Sequence, residues 1–331
     1  MSRLERAARL LDFTRLSRLL LSAPSWSGVL VLNYHRIGDA MKSSYNRNGW
    51  STPESLEAQL ELIVKHFEVI ALDDLEEARR SKRGRHIMVT LDDGYRDQFE
   101  WALPILRSHG VRATLFPITG FLDEPSIAWW DEIAWMVRTS ACDRIPPGRW
   151  LDAPVIFDEP AREAAVRSML ATYKSLPPHA TVAFLDFLAE ATGSGRHDQT
   201  AVAGLWMTWD MVRDFHRAGM AIGGHTVNHP VLTTLSAAEQ RAEIAGCRAR
   251  IEAELGDRMV AFSYPGGRFN ADTRACLVEQ RIDYAFGHDG GYHRSREEWD
   301  AHDVPRTSIS QRTTLPRFRG TVTLPRLFAR W

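Results

Sequence analysis

The sequence predicts an α/β protein whose parallel sheet closes into a barrel. Short apolar runs typical of buried strands recur along the chain, and amphipathic helical patterns separate several of them. Strands that alternate with helices favour a parallel sheet, and about seven or eight such units favour a barrel. The expected strands occupy residues 29–33, 68–72, 86–91, 112–117, 220–223, 260–264, 284–287 and 304–309.

The predicted helices show amphipathic spacing. In residues 53–67, Leu56, Leu60 and Ile63 share one face, and Thr52 precedes the first turn as an N-cap. This spacing indicates that one side of the helix packs on the sheet. Similar patterns occupy residues 98–109 and 236–255.

The alternation of strands and helices breaks between about residues 123 and 205. This stretch contains helical patterns near 129–137, 160–173 and 179–192. We interpret it as a mostly helical insertion on the barrel, because it is short and is flanked by barrel elements. Its Trp129 and Trp130 either line a sugar-binding rim or form the core of the insertion.

Both ends of the chain are basic and apolar. Residues 1–28 are expected to form an amphipathic helical segment, and residues 312–331 a basic tail that contains five arginines and no acidic side chain. Residues 29–311 would then form the barrel domain. Segments of this kind either dock on their own domain or rest on an anionic membrane surface.

The composition of the 331 residues restricts the function classes. Lysine and arginine number 41 against 42 acidic residues, so the net charge of −1 gives no reason to expect nucleic-acid binding. Three widely spaced cysteines imply no disulfide framework and fit a reducing compartment. Arginines interrupt the apolar residues near the N-terminus, and no apolar run reaches the length of a membrane span. We therefore expect a cytoplasmic protein.

Two adjacent carboxylates, Asp92 and Asp93, follow the predicted strand 86–91 and precede Gly94. Ligands and catalytic groups of α/β proteins lie at the carboxyl ends of the strands. Like charges side by side repel each other unless a cation, a proton or hydrogen bonds compensate them. The pair therefore predicts a bound cation.

A second set of metal-ligand side chains follows the predicted strand 220–223. His225 and His229 stand four residues apart, so one helical turn would place both imidazoles on the same face. Two histidines and a carboxylate leave coordination positions open for water and substrate, and Zn²⁺ is the expected ion, with Co²⁺, Mn²⁺, Fe²⁺ or Ni²⁺ as alternatives. Each motif alone is also compatible with a turn or a surface coincidence, but their convergence at strand ends favours a metal site.

Together with the segment 262–267, Phe-Ser-Tyr-Pro-Gly-Gly, these motifs resemble those of the polysaccharide deacetylases, the NodB-homology or carbohydrate esterase family 4 proteins. The motifs occur in the order of the family, and the resemblance covers about residues 29–122 and 206–309. Residues 32–36, Leu-Asn-Tyr-His-Arg, are similar to the first-strand signature of many bacterial members. The insertion that begins at Trp129 resembles that of deacetylases associated with bacterial surface-glycan synthesis.

The resemblance implies a distorted (β/α)7-type barrel that hydrolyses an N-acetyl group from an amino sugar. It assigns Asp92 as the general base, and Asp93, His225 and His229 as the metal ligands. This assignment agrees with the chemistry, because a metal polarises the acetamide carbonyl and acidifies water, and a neighbouring carboxylate can take the proton.

The resemblance also places the oxyanion-binding and substrate-binding groups. In the segment that contains Tyr264, Pro265 and Gly266, the family uses a backbone N–H to hold the oxyanion, and Gly266 is the best positional match. Asp97 is expected to cap the helix that follows the carboxylate pair, or alternatively to orient the loop after Asp92.

The sequence departs from the family pattern at two places. Ser263 stands where many members have an arginine directed at the base, and Arg306 either replaces that arginine or forms an exposed salt bridge. The late Leu-x-His that supplies the general acid in the family does not occur after residue 303. His288 is the predicted acid, and His35, at the end of the first strand, is the other histidine available at the substrate; either one is alternatively a structural histidine.

These observations predict a metal-dependent hydrolase that removes N-acetyl groups from amino sugars of a bacterial surface polysaccharide, oligosaccharide or lipid-linked glycan precursor. A deacylase or amidase acting on a small non-sugar substrate would use nearly the same site. A catalytically decayed glycan-binding protein is a third interpretation, although the intact carboxylates and histidines argue against it. The sequence contains nothing that predicts the oligomeric state.

Overall fold

The computed structural model describes residues 3–14, 16–22, 25–81, 83–158, 161–202, 204–288, 290–295 and 298–329. In these ranges the strands are β1 (Gly28–Tyr34), β2 (Arg36–Ile37), β3 (Trp50–Ser51), β4 (Glu68–Ile70), β5 (Arg85–Asp93), β6 (Thr114–Pro117), β7 (Arg144–Ile145), β8 (Val155–Ile156), β9 (Ala221–Ile222), β10 (Ala261–Ser263), β11 (Tyr284–Phe286), β12 (His293–Arg294) and β13 (Arg306–Ser308). The α-helices there are α1 (Arg3–Phe13), α2 (Leu16–Ser22), α3 (Pro53–His66), α4 (Leu75–Arg80), α5 (Leu103–Ser108), α6 (Thr119–Asp123), α7 (Trp129–Thr139), α8 (Arg162–Ser175), α9 (Pro178–Thr192), α10 (Trp209–Arg217), α11 (Ala237–Leu255), α12 (Ala271–Glu279), α13 (Leu315–Thr323) and α14 (Pro325–Phe328).

Parallel strands follow one another around a barrel in the order β1, β5, β6, β9, β10, β11 and β13, and β13 pairs again with β1. The junction between β9 and β10 is a single parallel bridge from Gly224 to Phe262, and that between β11 and β13 is a bridge from Phe286 to Val304. The distorted (β/α)7-type barrel that the sequence predicts is confirmed, and the two single-bridge junctions are where it departs from regular pairing.

The barrel strands β1 and β5 are apolar because both of their faces are covered. Every residue of β1 is buried, and so is every residue of β5 after Arg85. Buried parallel strands therefore appear in the sequence as continuous apolar runs, and each of the eight predicted runs overlaps a strand of the structure. Of these, β4 stands outside the ring and pairs with the first half of β5.

The strands that sequence analysis missed are only two residues long. They are β12, which is antiparallel to the start of β1, and the short pairs β2–β3 and β7–β8. Two residues cannot show a period, so no alternating or apolar pattern marks these strands.

The predicted helices begin where their capping residues stand. The Thr52 hydroxyl accepts a hydrogen bond from the Ser55 N–H at the start of α3, at 3.1 Å. Ser236 and Glu239 form a capping box at the start of α11. The predicted helix 98–109 begins instead with a π-helical turn, Gln98–Ala102, and continues as α5.

The insertion has its own hydrophobic core, to which α7, α8 and α9 contribute. Ile133, Met169 and Phe184 lie in this core, and it packs against the barrel through Tyr95 and Phe121. The insertion therefore covers the loops that follow β5 and β6.

The two ends of the chain pack together. Arg319 on α13 is 2.7 Å from Asp12 on α1, and Trp26 donates a hydrogen bond to the Val322 carbonyl at 2.8 Å. Phe318 is buried in the main core, so residues of the predicted tail form part of the packed structure. Arg15 in the N-terminal segment, and Arg330 and Trp331 in the tail, lie outside the described residues. Of the helices in the described residues, none is long and apolar enough to cross a bilayer.

Candidate active site

The side chains singled out from the sequence meet at one end of the barrel, because parallel strands present all their carboxyl ends on the same side. A cavity of about 490 Å³ opens there. Of the sequence-predicted site residues, its lining includes Asp93 at the end of β5, His225 and His229 after β9, Pro265 and Gly266 after β10, His288 after β11, and His35 after β1.

The predicted metal ligands lie around a single carboxylate oxygen. The Nε2 atoms of His225 and His229 lie 3.5 and 3.9 Å from Oδ1 of Asp93. Nδ1 of His225 is 2.7 Å from the Ser263 carbonyl, which can only accept a hydrogen bond, so Nε2 of His225 is left with its lone pair. Two imidazoles and a carboxylate arranged in this way fit a divalent transition metal.

The backbone is strained at this cluster. Asp93, Thr226 and His229 all have positive φ angles, of 81, 67 and 53°. A left-handed conformation costs a non-glycine residue roughly 1–2 kcal/mol. Two of these residues are predicted ligands, and the third accepts a hydrogen bond from the His229 N–H with its hydroxyl, at 2.8 Å. Such outliers cluster where a function requires the geometry, which supports a binding site here.

Asp92 occupies a different environment from its neighbour. It is fully buried, and the Arg306 guanidinium contacts both of its oxygens, at 2.8 and 2.7 Å. Asn33 and Ser263 also donate hydrogen bonds to Oδ2, at 3.0 and 3.1 Å. Burial alone would raise the pKa of Asp92, but the charge and hydrogen bonds of Arg306 together with the nearby His225 outweigh burial and hold the pKa well below its usual range.

A second group of ligand-type side chains, His35, Asp92 and His288, is also close enough to hold a metal ion. We consider it the weaker site, because both oxygens of Asp92 are already bound by Arg306. The carboxylate of Asp93 is contacted by the two imidazoles of the first group.

Arg306 is buried, so the alternative of an exposed salt bridge is wrong. The Ser263 hydroxyl accepts a hydrogen bond from Arg306 Nη2 at 2.8 Å, so the serine supports an arginine that comes from another strand. Asn33 and Thr90 also belong to this network and were not predicted from the sequence as site residues. Both are polar residues inside apolar runs, they face each other in register on β1 and β5, and that combination was the available signal.

The two histidines proposed as proton donors are neighbours, with ring centroids 5.6 Å apart. Burial, with the added charge of Arg306, lowers the pKa of His288 to about 3. A neutral imidazole with this pKa is a poor proton donor near pH 7, which argues against the predicted role of His288. Nε2 of His35 lies 4.0 Å from Oδ2 of Asp92, so His35 is the other histidine beside the carboxylate.

Two further predicted residues make contacts other than the expected ones. Tyr264 is buried and its hydroxyl donates to the His302 carbonyl at 2.7 Å, so its side chain does not contact the cavity. Asp97 stands at the N-cap of the π-helical turn, but its side chain makes no capping hydrogen bond there. Its carboxylate binds Arg36 Nε at 2.5 Å and the Ile37 N–H at 2.9 Å, because a buried guanidinium offers it a stronger partner than a helix end.

The insertion supplies one wall of the cavity. The half-buried Trp129 stacks on Tyr173 with ring centroids 4.3 Å apart and lies in the lining. Trp130 also lies in the lining but is mostly buried, donates to the Tyr95 hydroxyl at 2.8 Å, and has its ring 4.4 Å from that of His229. The rim interpretation therefore fits Trp129, and the core interpretation fits Trp130 better.

A parallel α/β barrel with a buried carboxylate and a carboxylate–histidine triad at its strand ends defines a hydrolase-type active site. The chain belongs to the polysaccharide deacetylase family, whose sequence model matches residues 79–142 and 155–285, more than half of the chain. The protein is accordingly an enzyme of the deacetylase class of hydrolases.

Solved structures share this fold at low sequence identity. The Streptococcus pyogenes deacetylase PplD in complex with acetate is 16% identical, with a TM-score of 0.59 over 91% of this chain and 98% of its own. IcaB from Ammonifex degensii is 16% identical, with a TM-score of 0.53 over 88% and 97% of the two chains. A de-N-acetylase from Aggregatibacter actinomycetemcomitans is 14% identical, with a TM-score of 0.54 over 85% and 95%. A search among curated proteins finds no match.

Proposed function

We propose that the protein is a metal-dependent N-deacetylase that acts on N-acetylated amino sugars of a surface polysaccharide, an oligosaccharide or a lipid-linked glycan precursor. The observation that carries this proposal is the different state of the two adjacent carboxylates. Arg306 keeps Asp92 ionised beside the cavity, whereas Asp93 is left to the two histidines. A general base beside a metal-ligand triad is what hydrolysis of an amide requires.

The ion proposed at Asp93, His225 and His229 is Zn²⁺, because two imidazoles and one carboxylate with open positions suit it. When bound, the ion would polarise the acetamide carbonyl and lower the pKa of water. The buried Nδ1 of His229 has no hydrogen-bond partner among the described residues, so the orientation of this ring depends on its Nε2 contact and on Trp130.

The side chains around the triad would divide the remaining work. Asp92 takes a proton from the attacking water, and Arg306 holds its carboxylate ionised for that step. The backbone N–H of Gly266, which lines the cavity on the turn after β10, would hold the carbonyl oxygen that becomes negatively charged as water adds to the carbonyl carbon. As the C–N bond breaks, His35 gives a proton to the leaving nitrogen, and the products are acetate and the free amine.

Several observations support a sugar substrate. Trp129, backed by the stacked ring of Tyr173, lies in the wall of the cavity, and a flat aromatic ring suits the apolar face of a sugar ring. One solved structure of this fold is a de-N-acetylase, and another holds acetate, the product that we expect.

The direct test measures acetate released from N-acetylglucosamine oligomers by the metal-loaded full chain. We expect release that stops on chelation and falls by about a hundredfold or more in Asp92→Asn. The control is Asp73→Asn, which changes an exposed carboxylate outside the cavity lining. A metal-loaded protein that is inert on amino sugars but cleaves a small amide or ester would favour the non-sugar alternative. Sugar binding without metal or turnover would favour a decayed enzyme.

The substrate of a lipid-linked pathway lies at a membrane, and we propose that the N-terminal helices contact an anionic bilayer. Leu10, Phe13 and Leu19 on α1 and α2 are 63, 87 and 68% exposed although the same helices dock on α13. Exposed arginines, Arg6 and Arg18, lie on the same helices and would attract anionic headgroups.

Co-sedimentation with anionic liposomes at low salt tests this contact. We expect the full chain to bind, and Phe13→Ser combined with Leu19→Ser to bind several-fold more weakly, since apolar burial contributes most of such affinity. Val278→Ser, at an apolar residue on α12 that is 65% exposed, is the matched control. Full binding by the double variant, or no binding by the wild type, would remove the proposal.

A further inference from the structure

Three cationic side chains from separate elements line the active-site cavity: Lys174 near the end of α8, Arg268 after the turn that follows β10, and Arg312 after β13. Among the described residues, none of the three has an acidic side chain within ion-pair distance. The cavity therefore carries positive charge that the protein itself does not neutralise.

The acidic residues of the lining are already engaged. Asp93 belongs to the histidine triad, and Asp131 accepts hydrogen bonds from the Tyr95 hydroxyl at 2.7 Å and the Asn46 N–H at 3.0 Å. Asp131 also lies 3.8 Å from the Arg36 guanidinium. Neither carboxylate is available to the three cations.

The position of Lys174 adds to this imbalance. Its ammonium lies 5.9 Å from the ring centroid of Trp129, the aromatic wall of the cavity. Burial, and to a lesser extent the charge of Arg268, lower the pKa of Lys174, as expected for a cation without an acidic partner. Cations that line one cavity without acidic partners favour the binding of an anion there.

We propose that Lys174, Arg268 and Arg312 bind a phosphoryl group attached to the amino-sugar substrate. A phosphate ester carries up to about two negative charges at neutral pH and three acceptor oxygens that point in different directions. That shape suits cations from three elements better than a carboxylate, whose two oxygens lie in one plane. The inference rests on the proposed function for the identity of the sugar, but not for the phosphoryl group.

Binding measurements separate this proposal from catalysis. Calorimetric titration of the metal-loaded full chain compares N-acetylglucosamine 1-phosphate with N-acetylglucosamine. We expect the phosphorylated sugar to bind at least about tenfold more tightly, and this preference to be lost in Lys174→Gln combined with Arg268→Gln. Arg107→Gln is the control, because it removes an exposed cation from α5, outside the cavity lining. Equal thermal unfolding temperatures of the variants show that the fold is kept.

The same titrations are repeated with a chelator, because phosphate can also bind a metal directly. A preference that survives chelation and is lost in the double variant supports the proposal. If the preference disappears on chelation and is unchanged in the double variant, the phosphate binds the metal and the proposal is overturned. Equal binding of the two sugars would also overturn the proposal. If the phosphorylated sugar binds by this pattern and no acetate is released, the deacetylase proposal fails and the phosphate site stands.

Two larger probes distinguish the source of the phosphoryl group. A nucleoside diphosphate sugar and a polyprenyl pyrophosphate sugar in detergent carry the same N-acetylated ring. The one whose affinity falls most in the double variant, relative to Arg107→Gln, identifies the carrier. If both probes bind well and neither loses affinity in the double variant, the assignment of the phosphoryl group to the three cations is contradicted.

Discussion

Arg306 and Asp92, 214 residues apart in the sequence, form a bidentate ion pair in which both side chains are completely buried. The pair joins β13 to β5 across β1, which lies between them in the barrel. A buried guanidinium gives the carboxylate a fixed orientation and keeps it ionised. The pair therefore connects the integrity of the barrel with the chemistry proposed for Asp92.

Replacing Arg306 with glutamine should destabilise the fold. Removal of one partner leaves the buried carboxylate of Asp92 without a counter-charge, which typically costs about 3–5 kcal/mol. Denaturant unfolding measures this loss. The control is Arg96→Gln, which breaks the solvent-exposed pair with Glu100 at 2.7 Å and should cost less than about 1 kcal/mol. Similar losses of unfolding free energy in the two variants would show that the buried pair contributes no more to stability than the exposed pair.

The same pair predicts a pH dependence. The pKa of Asp92 in the folded protein lies below the ordinary value of 3.8, so its contribution to stability is present above about pH 4 and is lost as the pH falls further. In Arg306→Lys the point charge replaces the bidentate contact, and the pKa of Asp92 should rise. We expect the acid limb of kcat/KM against pH to move to higher pH in this variant. An unchanged limb would mean that Asp92 is not the base.

Metal analysis distinguishes the two ligand groups at the cavity. Asp93→Asn and His229→Ala should each lower the bound metal by about tenfold or more, because each removes a ligand of the triad. Asp92→Asn should keep its metal while losing activity. Purified variants are loaded with Zn²⁺, dialysed and measured by elemental analysis. Loss of metal in Asp92→Asn, with retention in Asp93→Asn, would assign the ion to the group that contains His35 and His288.

The sequence was sufficient for the barrel, because a buried parallel strand has a continuous apolar run and a ligand position follows its carboxyl end. Asp92 and His225 were both found in this way. The bridge between Gly224 and Phe262, which helps to close the barrel, leaves no such pattern. A closure of this kind depends on the path of the whole sheet and not on local residues.

Long-range pairing explains what the sequence left open at the site. Arg306 had two possible environments, and only its burial against Asp92 decides between them. His35 and His288 are alike in sequence terms. Burial, together with the charge of Arg306 from a distant strand, lowers the pKa of His288 and argues against it as the proton donor.

Comparison of two substrates with different leaving groups can identify the proton donor. His35→Gln should lower hydrolysis of an N-acetyl amide by about a hundredfold, because an amine leaves only after protonation. The leaving group of p-nitrophenyl acetate needs no proton, so the factor by which its hydrolysis falls should be about tenfold smaller. The comparison is repeated for His288→Gln, for which we expect equal and smaller losses on both substrates. The opposite pattern would restore His288 as the acid.

Gly266 and Gly267 are adjacent, both have positive φ angles of 60 and 71°, and they predict different responses to the same substitution. A Cβ at Gly266 would meet nothing within 4 Å, so Gly266→Ala should cost only the backbone term of about 1 kcal/mol. A Cβ at Gly267 would collide with the Cβ of His288 and lie 2.8 Å from its backbone nitrogen.

Gly267→Ala should therefore add an overpacking cost of about 1–3 kcal/mol to the backbone term and displace the strand end that carries His288. Denaturant unfolding gives the two free energies, and acetate release gives the effect on the site. Gly266→Ala should keep most of its activity, because the substitution retains the N–H that we propose for the oxyanion. If Gly266→Ala is the more damaging of the two for stability, the turn after β10 does not have the conformation that places this N–H at the cavity.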